Sequence, residues 1–294
     1  MTPSNQPPSE RLPTLNLVGA GRVAQTLAHL WQRQDTFAIQ DVLTRSLSSA
    51  QAACTTIVAG RAVADLEAMG TADFWMLAVP DAELAHCAHA LAATACASGF
   101  SQPSGIAPIV FHCSGAQSAA ALAPLAALGW QTASAHCILS FASVATAVTQ
   151  FPGTPCALEG DAPACVSLRM AFTAIGARCF DVASSDKLLY HAAAVFATNF
   201  LPVLQATAED LWQSTGMPAE LIPHLRATLL RNAVTNITTL GPQAALTGPA
   251  ARGDTVAIAR QAVALSAWDP QTGAAYEALS ALALRLARPA LPLR

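Results

Sequence analysis

The sequence predicts an α/β domain built on a mostly parallel sheet, followed by an all-helical domain. Three observations carry this. Short apolar runs alternate with helical stretches through the first two-thirds of the chain, the pattern of strands joined by crossover helices. A glycine loop, Gly19-Ala20-Gly21-Arg22-Val23-Ala24, stands between the first apolar run and the first helical pattern. After Val182 the strand-like runs stop and long helical patterns take over.

Taken in order, Leu15-Asn16-Leu17-Val18 reads as the first strand, and residues 23–32 carry apolar side chains at helical spacing. Residues 38–44 form a second strand and 74–79 another, stopped by Pro80-Asp81 and followed by a helix over 81–97. Ile109-Val110-Phe111-His112 is a strand that ends in Cys113-Ser114-Gly115. Residues 131–136 give a later strand, and 155–158 and 178–182 add two at the sheet edge. A long helix is expected over 185–213, with Ser185 as its N-cap and a kink at Pro202. Gly216-Met217-Pro218 turns the chain, and helices follow over 219–240, 255–267 and 272–287, punctuated by Gly241-Pro242 and Gly248-Pro249. The expected domains are residues 12–182 and 183–294.

Composition narrows the function classes. Hydrophobic residues make up 53% and charged residues 11%, against a usual charged share of about a quarter. So few charges imply a covered surface, and a homodimer built by the long helices is the expected cover. A net charge of −3 offers no footprint for nucleic acid. No uninterrupted apolar run reaches the length of a membrane span, so no membrane partner is expected. Residues 1–10 are polar and Pro-rich and read as a disordered leader rather than a signal peptide. The eight cysteines form no CxxC pair and sit mostly among apolar neighbours, as buried free thiols of a cytoplasmic protein do. His-Cys dipeptides at 86–87, 112–113 and 136–137 invite a metal reading, but adjacent strand residues point to opposite faces, and no metal is expected.

The glycine loop has the context of a dinucleotide-binding fingerprint, following a strand and opening a helix. Gly19 permits a tight turn, Gly21 lets a pyrophosphate approach, and Ala24 allows close helix–strand packing. The first domain is therefore expected to be an α/β Rossmann domain, with Gly19, Ala20, Gly21, Arg22 and Val23 at the phosphates and Val79 and Pro80 beside the cofactor. The end of the second strand selects the nucleotide. Asp41 is the competing residue for NAD(H), but Val42-Leu43 continue the strand beyond it. Thr44, Arg45 and Ser46 then stand at the strand end, where an Arg recognises a 2′-phosphate, so NADP(H) is the expected cofactor.

Ligands of open α/β sheets sit beyond the carboxyl ends of the strands. Ser114 and His136 fall there. Lys187 stands in the first turn of the long helix, where the dipole disfavours a cation, and that misplacement hints at a role. His191 lies four residues on, sharing its face, and Asn199 follows two turns later. Ser114, His136, Lys187, His191 and Asn199 are the candidate catalytic residues, the first four expected to converge on one cleft between the domains. Asp254 is expected to cap the following helix.

The segments 19–24, Ala78-Val79-Pro80-Asp81 and His112-Cys113-Ser114-Gly115 resemble the Rossmann half of the 6-phosphogluconate dehydrogenase-like superfamily. Residues 190–199, Ala245-Leu246-Thr247-Gly248-Pro249 and Arg252-Gly253-Asp254 are similar to a bacterial subfamily of NADP oxidoreductases with a C-terminal helical domain of unknown function. The resemblance implies that Lys187 matches the lysine that β-hydroxyacid dehydrogenases place at this helix start, with His191 standing where they have Asn. It implies that His136 matches a prephenate dehydrogenase histidine that bonds the hydroxyl losing hydride. The implied function is an NADP(H)-dependent oxidoreductase acting on a small carbonyl, imine or hydroxy-acid substrate. A non-catalytic NADP(H)-binding sensor or assembly protein is the alternative, because fold alone does not establish chemistry.

Overall fold

The computed structural model describes residues 11–98 and 107–288, so the leader read at residues 1–10 lies outside the described residues. The chain divides into two compact units, the first running to Val195 and the second from Phe196. In the first, strands β1 (Thr14–Val18), β2 (Ala38–Leu43), β3 (Arg61–Val63), β4 (Phe74–Leu77), β5 (Ile109–His112), β6 (Gln131–Cys137), β7 (Pro155–Gly160) and β8 (Arg178–Asp181) form one sheet. Between them run helices α1 (Arg22–Arg33), α2 (Leu47–Ile57), α3 (Asp81–Ser98), α4 (Ala123–Ala126), α5 (Val144–Gln150) and α6 (Ala162–Ala174); α7 (Lys187–Ala194) follows the last strand.

The strand order is β3-β2-β1-β4-β5-β6-β7-β8. All neighbours are parallel except β6 and β7, which pair antiparallel. The chain thus winds outward from β1 in both directions, which opens a crevice at the carboxyl ends of β1 and β4. Strand alternation divides the core between the two faces. Leu15, Leu17, Met76 and Phe111 pack one face, where Trp31 of α1 meets Phe37, Phe111 and Phe172 edge-on. Val18, Trp75, Leu77 and Val110 pack the other, against Leu84 and Leu91 of α3. The buried Trp31 indole still finds a partner, donating to the Ala171 carbonyl at 2.9 Å.

Two polar residues inside this core are fully committed. Asn16 donates to the Gly70 carbonyl at 2.7 Å and accepts from the Asp41 amide at 3.1 Å. Asp41, in the middle of β2 and 1% exposed, pairs with Arg61 at 2.8 Å and accepts from the Gly70 amide at 2.7 Å. Burial alone would raise its pKa, but the hydrogen bonds from Arg61 and Gly70 outweigh that and hold it below the ordinary value. Asp41 is therefore a structural anchor turned into the fold.

The second unit holds α8 (Phe200–Ser214), α9 (Ile222–Ala245), α10 (Gly248–Ala251), α11 (Thr255–Trp268) and α12 (Pro270–Ala287). Asp254 caps α11, accepting from the Ala257 amide at 3.0 Å, as its position in the sequence implies. Asp269 does the same for α12 through Thr272 at 2.7 Å. Gly241, with φ at 77°, breaks α9 just where Gly241-Pro242 marks a stop. Among the described residues the unit buries few apolar side chains, Ile222 and Ala262, and leaves Phe196, Leu201, Val234, Ile237 and Leu240 exposed.

Three expectations need correction. The domain boundary falls at 195/196 rather than 182/183, because α7 is bonded to the sheet and belongs with it. Ser185 caps nothing: its hydroxyl donates to Asp186, and a 3₁₀ turn over Ser184–Asp186 leads into α7. The helical run Ser184–Ser214 is continuous for 31 residues and contains an 18-residue stretch with a mean hydropathy of 1.3, long and apolar enough by length and composition alone to cross a membrane despite its polar interruptions. Its continuity comes from a π-turn over Val195–Asn199. Pro202 cannot donate to the preceding turn and clashes with its carbonyls, and a widened turn just before it relieves both problems.

Asp41→Asn keeps the shape but loses the charge opposite Arg61. It is expected to lower unfolding free energy by about 1–3 kcal/mol in urea titrations at neutral pH. Because the folded pKa is depressed, this contribution is present above the unfolded value of about 4 and fades as acid protonates the wild-type carboxyl. Wild type and variant should therefore converge in acid.

Candidate functional site

The loop after β1 is shaped for close approach. Gly19 has φ at 88°, and a side chain there would run into the Ala78 carbonyl beyond β4. Its amide donates to the Leu43 carbonyl at 2.8 Å, tying the loop to β2. Gly21 faces open space within 4 Å of its missing Cβ and precedes α1, whose first amides no side chain caps. Bare amides at an exposed helix start are the ordinary cradle for a phosphate, so the chain fits a dinucleotide here. Ala20 accepts from the Gln25 side chain at 2.7 Å, and Val23 begins the half-buried face of α1. Arg22 extends away, donating to the Ala142 carbonyl at 2.8 Å.

At the end of β2, Thr44 donates to the Ser46 carbonyl at 2.8 Å, and Ser46 caps α2 through the Ser49 amide at 3.2 Å. Arg45 stands exposed between them. With Asp41 turned inward, this edge presents hydroxyls and a guanidinium and no free carboxylate from β2. Val79 is half-buried beyond β4, and Pro80 is exposed at the mouth of α3.

Further along the same carboxyl edge, β5 and β6 bring a second group together. Ser114 follows β5, and its hydroxyl donates to Asp81 at 2.8 Å while accepting from the Ala116 and Gln117 amides at 3.2 and 3.0 Å. This fixes the turn that carries Gly115. His112, buried beneath, accepts from the Ser114 amide at 3.2 Å and meets the Ser118 carbonyl at 3.1 Å, so the proton sits on Nε2. Burial holds its pKa down at about 4.

Lys187, 1% exposed, is the buried base of the site. Its ammonium donates to the Ser114 carbonyl at 3.2 Å and, in a short bond, to the Ser134 hydroxyl on β6. Burial lowers its pKa, while Glu159 and Asp81 work against that shift. Glu159 on β7 is itself buried, accepting from the Ala119 amide at 2.8 Å and the Ser184 hydroxyl at 2.6 Å. It thereby fixes the turn that leads into α7.

One helical turn beyond Lys187, Tyr190 and His191 reach β6. The Tyr190 hydroxyl lies 2.8 Å from Nδ1 of His136. The His136 and His191 rings stand edge-to-face at 5.7 Å. Both imidazoles close on Gly115: a Cβ there would fall on Nδ1 of His191 and lie 2.9 Å from Cε1 and Nε2 of His136. Nδ1 of His191 is buried and has no hydrogen-bond partner among the described residues. Burial, with His191 and Lys187 adding to it and Asp81 opposing, takes the His136 pKa down to about 4.

The structure thus gathers Ser114, His136, Lys187 and His191 around Gly115, all within the first unit. Asn199 lies in the second unit, exposed, and accepts from its neighbour Thr198 at 2.9 Å. Sequence reasoning missed Ser134, Glu159, Tyr190 and Gly115. Tyr190 was findable, since it is three residues from Lys187 on the same helix face.

Comparison with known proteins agrees with this architecture. The chain carries a Rossmann-like domain, matched over residues 4–137, and a domain of unknown function, DUF2520, matched over 154–283. Among solved structures it is similar to a candidate NADP oxidoreductase of Bacteroides fragilis, at 21% identity and a TM-score of 0.70, covering 93% of this chain and 98% of that one. A Thermotoga maritima protein matches at 23% identity and a TM-score of 0.69, with the same coverage. A Plasmodium falciparum pyrroline carboxylate reductase with NADP bound matches at 11% identity and a TM-score of 0.56, covering 94% and 98%. No curated protein matches the chain in sequence.

Gly115→Ala tests the convergence directly. The added methyl must displace two imidazoles, an overpacking cost of about 1–3 kcal/mol read as a lower urea midpoint. Unchanged stability would show that the rings are not held against the glycine.

Proposed function

We propose that the protein is an NADP(H)-dependent oxidoreductase acting on a small carbonyl, imine or hydroxy-acid substrate. The observation that carries this reading is that the uncapped glycine loop and the His136–His191 pair share one carboxyl edge of the sheet. In this reading Gly19, Ala20, Gly21, Arg22 and Val23 hold the pyrophosphate, Val79 and Pro80 flank the nicotinamide side, and Thr44, Arg45 and Ser46 take the 2′-phosphate. The similarity to the Bacteroides and Plasmodium proteins, both named with NADP, supports the cofactor class. The bound cofactor supplies or accepts a hydride at the substrate carbon.

The protein's own part is to manage the heteroatom of the C–O or C–N bond. His136, kept neutral by burial, donates or accepts a hydrogen bond at that atom, and the His191 ring stands edge-to-face beside it. Lys187 and Ser114 act as positioning residues: the ammonium and the hydroxyl are committed to holding the 114–117 turn. Asn199 is kept in this reading as a further candidate catalytic residue.

Cofactor titration is the first test. NADPH should bind at least about tenfold tighter than NADH, and Arg45→Asp should weaken NADPH by one to two orders of magnitude, since a hydrogen bond to a charged group contributes about 1.5–3 kcal/mol. Equal affinities would overturn the NADP(H) assignment. With NADPH bound, oxo-acids, imines and ketones are screened at the nicotinamide absorbance band. For any compound turned over, His136→Ala should cost about 10²–10⁴ in rate and leave NADPH affinity unchanged. Tight binding without turnover of any class would favour the sensor reading.

The same proposal makes the protein a homodimer through its helical unit. A unit that, among its described residues, buries only the aliphatic side chains of Ile222 and Ala262 while exposing Phe196, Val203, Val234 and Ile237 lacks the core that a stable fold needs. A second copy offers the same apolar stripes, self-complementary about a two-fold axis. Light scattering at micromolar concentration should give twice the 30.3 kDa chain mass, and a monomer would refute the assignment.

A further inference from the structure

We propose that Tyr190 is a positioning residue that locks His136 as the Nε2–H tautomer, so that His136 presents a hydrogen-bond donor toward Gly115 and the substrate heteroatom. The inference rests on the functional reading above for its consequence and on contact geometry and burial for its content.

The protons at one contact fix the tautomer. The Tyr190 oxygen and His136 Nδ1 are 2.8 Å apart, a good hydrogen bond whichever atom donates. The phenol keeps its proton, because burial raises its pKa above the ordinary value. That proton has two acceptors within view, Nδ1 at 2.8 Å and the His136 carbonyl at 3.5 Å. An O–H···O distance of 3.5 Å lies well outside the hydrogen-bonding range. If Nδ1 carried the imidazole proton, the phenolic hydrogen would be left, among the described residues, with that long contact only. If Tyr190 donates to Nδ1, every proton at the contact is bonded. A neutral imidazole with Nδ1 accepting carries its hydrogen on Nε2.

The rest of the surroundings agrees. The groups that face the ring are His191 and Lys187 from α7 and Asp81 from α3, and the two basic neighbours disfavour a second proton on it. Nε2 lies on the Gly115 side, where the missing side chain leaves room beside His191. The effect is directional: a donor fixed at Nε2 polarises a carbonyl or imine for reduction, whereas an Nε2 acceptor would suit removal of a hydroxyl proton. The assignment therefore favours oxo or imino compounds over hydroxy compounds as the ligand met by His136.

The test uses the full-length protein labelled with ¹⁵N-histidine and free of cofactor. Two-bond ¹⁵N–¹H correlation spectra report each ring nitrogen as protonated or bare, and the His136 signals are identified by their loss in His136→Gln. Wild type should show a protonated Nε2 and a bare, hydrogen-bonded Nδ1. Tyr190→Phe should move the Nδ1 resonance toward that of an unbonded nitrogen and, with a substrate in hand, lower kcat about tenfold or more with KM little changed. A proton on Nδ1 in the wild type overturns the proposal, and so does an Nδ1 resonance that Tyr190→Phe leaves in place. The wild-type spectrum stands even if the variant fails to fold. It also stands if no substrate is found, so failure of the oxidoreductase reading remains distinguishable.

Discussion

The site depends on one buried cation. Placing the Lys187 ammonium in the protein interior costs several kcal/mol unless its donors are satisfied. Here the Ser114 carbonyl and the Ser134 hydroxyl meet it, and the Glu159 and Asp81 carboxylates lie close enough to favour its charge. Those partners come from the β5 turn, β6, β7 and α3, so a single side chain fixes α7 against four parts of the fold. Once Lys187 is seated, helical periodicity leaves Tyr190 and His191 no choice but the His136 side of the helix. The imidazole pair is thus a consequence of where the lysine is buried.

Two glycines and one aspartate complete the arrangement by removing atoms or charge. Gly19 lets the phosphate loop pass the Ala78 carbonyl, and Gly115 lets two imidazoles close over bare backbone. Asp41 is withdrawn from the nucleotide edge by Arg61 and the Gly70 amide, so the acid that would select a ribose hydroxyl is occupied elsewhere. In each case the functional surface is defined by what the local packing has taken away.

Much of this was legible in the sequence because it follows from local rules. The strand pattern, the glycine loop, the depth of Asp41 within β2 and the Asp254 cap all depend on residues close in the chain. The misfit of Lys187 in a first helical turn drew attention to it, but its burial beneath the Ser114 turn depends on partners 73 and 53 residues away. Glu159 escaped notice because the seventh strand was expected to end at Leu158, whereas pairing with β6 carries it to Gly160. Asn199 was placed by counting helical turns from Lys187. The π-turn over Val195–Asn199 adds a residue to one turn and rotates everything after it, so the count fails at that point.

The charge arrangement also constrains what the first unit can offer a ligand. Lys187 is committed inward, Asp81 accepts from Ser114, and His136 is neutral across the physiological range. What remains at Gly115 is a pair of imidazoles, one of whose ring nitrogens has no partner among the described residues. A buried polar atom without a partner carries a desolvation cost of about 1–3 kcal/mol, which a ligand heteroatom can relieve on binding. Under the proposed function, a neutral His136 discriminates by hydrogen-bond direction more than by charge, so the placement of its single proton sets which heteroatom the site prefers.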